Sequence, residues 1–185
     1  MIVYIESNFI LEIVLKQTHA ATAEAILKLA ENGKIELAFP SFSLSEPFAT
    51  VTRRQRDQDR LGKSVGGMLE GLQTMLSDAA KKERDGLWIT INRLVKAGTS
   101  IEINTAGLEY ALECQQRYRL SPQDSIVYAA TIIDMQRRPL TETKCFLNSN
   151  YKDFAIPPII TELNTFNCWY ERHFGKGLSY IRGFI

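Results

Sequence analysis

The chain has 185 residues, 45% of them hydrophobic, and a formal net charge of +1. Such a length and apolar content exclude a disordered chain or a scaffold dependent on disulfides, and suit one domain with some elaboration. The near-neutral charge excludes a global field that draws in nucleic acid, so any such contact must come from a local patch.

The opening residues Met1-Ile2-Val3-Tyr4 lack the basic and apolar regions of a signal peptide. No apolar run reaches the roughly 18 residues of a membrane span, and a cytoplasmic protein with no membrane partner is expected. Ile2 to Ile5 is a short, β-rich apolar run that reads as a buried strand. Ser7 and Asn8 then offer capping groups for a helix carrying Phe9, Ile10, Ile13 and Val14 at helical spacing. A second helix is expected from Ala20 to Glu31, stopping at Asn32-Gly33. Ile35 to Phe39 reads as the second strand, closed by Pro40, with helical signals resuming after Ser41. Pro47 biases Glu46 before it away from helical backbone.

From about 60 to 98 the pattern predicts a helical hairpin added to the domain. Leu61, Val65, Met68, Leu72, Met75 and Ala79 recur in heptad style, with Leu69 and Leu76 beside them. A following helix would carry Leu87, Trp88, Ile91, Leu94 and Val95 on one face and end at Gly98. The stripe suits either packing on the core or a homodimer interface. Further on, Ile101 to Ile103 reads as a third strand, Ala106–Tyr118 and Pro122–Gln136 as helices, and Lys144 to Leu147 as a fourth strand. A short helix after Pro157, a strand near Cys168–Tyr170 and a helix near Phe174–Ile181 complete the chain. Strands alternating with helices predict an α/β fold: a three-layer α/β/α sandwich around a central, mostly parallel sheet.

Two phosphate-binding patterns fail. Gly62-Lys63-Ser64 ends like a P-loop, but Asp57 stands where the first glycine belongs. Gly175-Lys176-Gly177 lacks a third glycine, that position being Tyr180, and it does not follow the first strand. Cys114, Cys145 and Cys168 are far apart and predict buried thiols, while His19 and His173 are isolated.

Carboxylates remain. Ligands of a parallel α/β sheet bind beyond the carboxyl ends of its strands. Glu6 follows the first strand, Glu46 the second, Asp124 opens a helix, and Asn150 and Asp153 follow the fourth strand. Converging carboxylates are what Mg²⁺ or Mn²⁺ requires, because these hard cations take oxygen ligands. Each residue also has a bland role: Asp124 in a capping box behind Ser121 and Pro122, Glu6 beside a helix N-terminus, Glu46 as a solvated helix residue, Asp153 in a turn.

These segments resemble the PIN-domain family, whose members are typically nucleases and include many toxins of toxin–antitoxin pairs. Glu6-Ser7-Asn8 stands where that family usually has Asp-Thr-Asn or Asp-Ser-Asn. Phe39-Pro40 through Glu46 is similar to the family's second acidic segment, and Leu120-Ser121-Pro122-Gln123-Asp124 with its apolar continuation to its third. Phe146 to Phe154 looks like the fourth, with Asn150 at the acid-or-amide position and Asp153-Phe154 behind it. The resemblance covers most of the chain, 1–185, as one PIN-like domain. It implies a metal-dependent endoribonuclease with Glu6, Glu46 and Asp124 holding Mg²⁺ or Mn²⁺ and Asn150 or Asp153 completing the catalytic site. Ser7 and Asn8 would orient the first carboxylate. Arg53, Arg54 and Arg56, with Arg60, would bind the RNA backbone, or instead form a solvated face paired with Asp57 and Asp59. An antitoxin-like protein is a further implied partner. Glutamate for aspartate at position 6 keeps a second reading open: a catalytically weak PIN-like module that binds RNA or a protein.

Overall fold

A computed structural model describes residues 1–65 and 71–185. Five strands form one all-parallel sheet: β1 (Ile2–Tyr4), β2 (Glu36–Pro40), β3 (Gly98–Ile101), β4 (Lys144–Leu147) and β5 (Cys168–Glu171), in the order β3-β2-β1-β4-β5. Helices α1 (Ser7–Val14), α2 (Ala20–Glu31), α3 (Ser45–Val65), α4 (Leu72–Ala97), α5 (Thr105–Tyr118), α6 (Pro122–Arg137), α7 (Tyr151–Phe154), α8 (Pro157–Thr165) and α9 (Phe174–Arg182) connect them, with a 3-10 turn at Ser41–Leu44.

β1 is central. Val3 pairs in register with Leu37 on one side and Cys145 on the other. A central strand has no solvent face, which explains its unbroken apolar run. Successive side chains alternate faces, so two cores form. Val3, Leu37, Phe39, Cys145 and Leu147 meet apolar residues of α1, α2, α4 and α9 on one face. Ile2, Tyr4, Ala38 and Phe146 meet α5, α6, α7 and α8 on the other. Helices thus cover both faces, as a three-layer α/β/α sandwich requires. Cys114, Cys145 and Cys168 are free and buried, and burial pushes the thiols of Cys114 and Cys168 up to about 11 and about 12.

Several expectations need correction. The hairpin is α3 against α4, so it begins at Ser45 and not near 60, and α4 runs unbroken through the predicted gap between Ala79 and Leu87. The supposed stripe therefore spans two antiparallel helices, with Leu61 and Met75 turned outward. Its members Met68 and Leu69, like Glu70, lie outside the described residues. On α4, Leu87, Thr90, Ile91 and Leu94 face the core, whereas Trp88 and Val95 are exposed. Trp88 meets Phe48 of α3 edge to face, centroids 5.1 Å apart.

Glu46 is helical despite Pro47, because α3 starts at Ser45 and the proline falls in a first turn, where a missing N–H leaves no bond unmade. Glu6, not Ser7 or Asn8, caps α1: its carboxylate accepts the Asn8 N–H at 3.1 Å. The third strand is Gly98–Ile101, three residues earlier than the apolar run suggests. An edge strand tolerates exposed Thr99 and Ser100. Ile103 packs on α5 instead, where a Cβ on Gly107 would lie 2.7 Å from its Cγ1.

Gly98 joins α4 to β3 at very close quarters. A Cβ there would sit 2.9 Å from the Leu37 carbonyl oxygen, 3.0 Å from that of Leu94 and 3.2 Å from the Phe39 ring. Two of these neighbours are backbone and cannot swing away. Gly98→Ala is expected to destabilise the fold by about 1–3 kcal/mol, the usual cost of overpacking. Urea unfolding of the variant measures it, and an unchanged midpoint would contradict the close approach.

Candidate functional site

The strand order reverses at the centre of the sheet: β2 and β3 extend to one side of β1, β4 and β5 to the other. Loops that leave β1 and β4 at such a switch point must part, and they open a crevice at the carboxyl edge. A cavity of about 380 Å³ lies there, lined by Glu6, Asn8, Glu46, Ser121, Gln123, Asp124, Ser149 and Asn150. Residues from four separate chain segments thus converge. Glu6, Glu46, Asp124 and Asn150 come together as expected. Asp153 does not line the cavity, although its charge raises the pKa of Asp124. It lies in the first turn of α7.

Glu6 is buried. Its Oε2 accepts from the Ser7 hydroxyl at 2.6 Å and from the Asn8 N–H, while its Oε1 has no hydrogen-bond partner among the described residues. Desolvation lifts its carboxyl from 4.5 to about 7 against these lowering bonds, with the Glu46 charge adding to the rise. The Ser7 hydroxyl also contacts Glu46 Oε2. A hydroxyl carries a single proton, so both contacts are hydrogen bonds only when one carboxyl is protonated.

Glu46 Oε2 also accepts from Gln123 Nε2 at 2.9 Å. Sequence reasoning passed over Gln123 because an amide beside a better-known acid carries no signal of its own. Asp124 lies in the first turn of α6, its N–H donating to Ser121 Oγ at 3.1 Å and its Oδ2 2.5 Å from the same oxygen. The capping role is therefore present. Its Oδ1 still points to the cavity side, where Asn150 Nδ2 approaches to 3.4 Å. Burial is the main cause that raises the Asp124 carboxyl from its ordinary value. Asn148, missed as well, positions the fourth segment. Its side-chain oxygen accepts the Asn150 N–H at 2.7 Å, its own N–H donates to Glu171 O at 3.1 Å, and its carbonyl accepts from Tyr170.

Among the described residues, no group of three or more His, Cys, Asp and Glu side chains is drawn into a ready-made cation cage. Neutral donors hold the carboxylates instead: Ser7 and Gln123 on Glu46, Ser121 and Asn150 on Asp124. The donor chemistry nevertheless fits a hard divalent cation. Its atoms are carboxylate and amide oxygens, and the orphaned Oε1 of Glu6 is a buried acceptor that lacks a positive partner.

Of the arginines, Arg54 is tied to Glu83 of α4 through two hydrogen bonds of 3.0 and 2.8 Å. Arg53 and Arg56 are exposed. Arg53 follows Glu46 by seven residues, close to two helical turns, and so shares its face roughly 10 Å along α3.

Comparisons with protein-family models, with curated proteins and with solved structures return no significant match. Fold and site together define a class: an α/β protein whose parallel sheet carries an acidic, amide-lined cavity at its switch point. No helix among the described residues is long and apolar enough to cross a membrane.

Proposed function

We propose that the chain is a PIN-type, metal-dependent endoribonuclease. The observation that carries the reading is the meeting of Glu6, Glu46, Asp124 and Asn150 around one cavity at the sheet's switch point, with the buried Glu6 Oε1 unpartnered. Glu6, Glu46 and Asp124 would hold Mg²⁺ or Mn²⁺, with Asn150 completing the set. When bound, such an ion lowers the pKa of water and offsets charge on a phosphoryl group.

The chain's own residues prepare this chemistry. Ser7 and Asn8 fix the Glu6 carboxylate, Gln123 orients Glu46, and Ser121 and Asn150 orient Asp124. Burial raises Glu6 and Asp124. Carboxylates destabilised in this way gain most from a cation, which reverses the penalty on their charged forms. Asn150 adds an amide oxygen without a further negative charge.

Purified protein incubated with a mixture of RNAs tests the reading. Fragments are expected with Mn²⁺ or Mg²⁺ and none with EDTA. Intact RNA under all three conditions would overturn it and leave a non-catalytic module.

A further inference from the structure

Beside the cavity, the loop that carries Asn150 is stitched to the end of β5 through the Asn148 N–H and the Glu171 carbonyl, 3.1 Å apart. This bond brings the residue after Asn150, Tyr151, next to the residue after β5, Arg172. The Arg172 guanidinium carbon lies 5.5 Å from the Tyr151 ring centroid, within cation–π range. Tyr151 is 49% exposed, so ring surface remains for another planar group. Arg172 Nε donates to His173 Nε2 at 3.0 Å. That bond steadies the guanidinium and leaves its two terminal nitrogens without hydrogen-bond partners among the described residues.

Arg172 differs here from Arg54, Arg93 and Arg138, which are all in ion pairs with carboxylates. No acid pairs with it among the described residues, and exposed Lys152 of α7 adds a second cation next to Tyr151 in the chain. A half-exposed aromatic ring beside an uncommitted guanidinium suits a nucleobase and its phosphate. Aromatic faces stack unpaired bases with little regard to sequence, and such bases exist only where the strand is not in duplex.

We propose that Tyr151 and Arg172 form a step beside the cavity that takes an unpaired base and its neighbouring phosphate. The proposal rests on the ribonuclease reading for its ligand. The Tyr151 ring stacks the base, Arg172 neutralises the phosphate, and the adjoining nucleotide is led to Asn150 and the acids behind it.

Fluorescence anisotropy with a labelled single-stranded oligouridine and with an RNA duplex, both in EDTA, tests this apart from cleavage. Tyr151→Ala is expected to weaken single-strand binding roughly 5- to 150-fold, the range for loss of one base stack. Tyr151→Phe, which keeps the ring, should bind as wild type. Arg172→Ala should weaken binding and reduce the slope of affinity against salt by about one ion. Wild-type affinity in both alanine variants, equal affinity of the wild type for duplex, or no binding at all would each overturn the proposal. Wild-type cleavage with Mn²⁺ is read separately. Cleavage alongside unaffected variant binding removes only the stacking step, whereas variant-sensitive binding without any cleavage removes only the hydrolytic reading.

Discussion

Asp124→Asn is expected to abolish Mn²⁺-dependent cleavage of RNA while leaving the fold in place. Asparagine keeps the shape of the side chain. Its oxygen can still accept from Asn150, its amide can donate to Ser121 Oγ, and the N–H of residue 124 keeps its capping bond. Loss of the negative charge near the N-terminus of α6 costs about 0.3–1 kcal/mol. Burial, which already disfavours the charged form of Asp124, offsets part of that. Only the charge offered to a cation disappears. Removal of outer-shell partners of metal ligands lowers affinity or activity by roughly 10–100-fold, and loss of a direct ligand should exceed this range. Initial rates with Mn²⁺, together with a melting curve, measure both halves. A variant that cleaves at the wild-type rate would remove Asp124 from the site.

Glu6 carries the second large effect, in two opposite directions. With its carboxyl held at about 7 instead of 4.5, the folded apo protein binds a proton more tightly than the unfolded chain. Stability is then unpenalised below about 4.5, falls as pH rises through the window between 4.5 and 7, and is lowest above it. The full penalty is about 3 kcal/mol at 1.36 kcal/mol per pH unit. Glu6→Gln has no charge to bury. It should raise the stability of the metal-free protein at pH 8, by up to that amount, and leave it nearly unchanged at pH 4.5. The same substitution should sharply weaken Mn²⁺ binding. Urea titrations at the two pH values and calorimetric Mn²⁺ titration test the pair. A variant no more stable than wild type at pH 8 would contradict the buried charge, and an unchanged isotherm would remove Glu6 as a ligand.

Glu6→Asp separates an adapted site from a decayed one. Aspartate is shorter by one methylene, about 1.5 Å, and Mg²⁺ tolerates little error around its 2.0–2.1 Å bonds. Glu6 is fitted where it stands: it caps α1 through Asn8 and shares Ser7 with Glu46. A shorter arm would lose that shared hydroxyl, so Glu6→Asp should bind Mn²⁺ more weakly than wild type. Tighter binding would mark the glutamate as a departure the site has not accommodated.

Most of this fold was legible in the sequence because its elements follow local rules. Period-2 and period-3.6 apolar patterns, Asn32-Gly33 as a stop and Ser121-Pro122 as a start mark β1, α1, α2, α6, β4 and the closing elements within a residue or two. The acids at strand ends were legible too, since a parallel sheet gathers those ends on one edge. The hairpin was not. A heptad pattern carries no mark of where the chain reverses, and only the packing of α4 on the core beside the sheet decided that Leu87, Ile91 and Leu94 go inward while Trp88 and Val95 do not. Tertiary structure alone also decided the bridge from Gln123 to Glu46 across 77 residues and the absence of Asp153 from the residues lining the cavity. The sequence by itself determined which residue types reach the switch point. Which atoms face the cavity, and the raised pKa of Glu6, depend on contacts and burial between distant segments, and no local pattern encodes these.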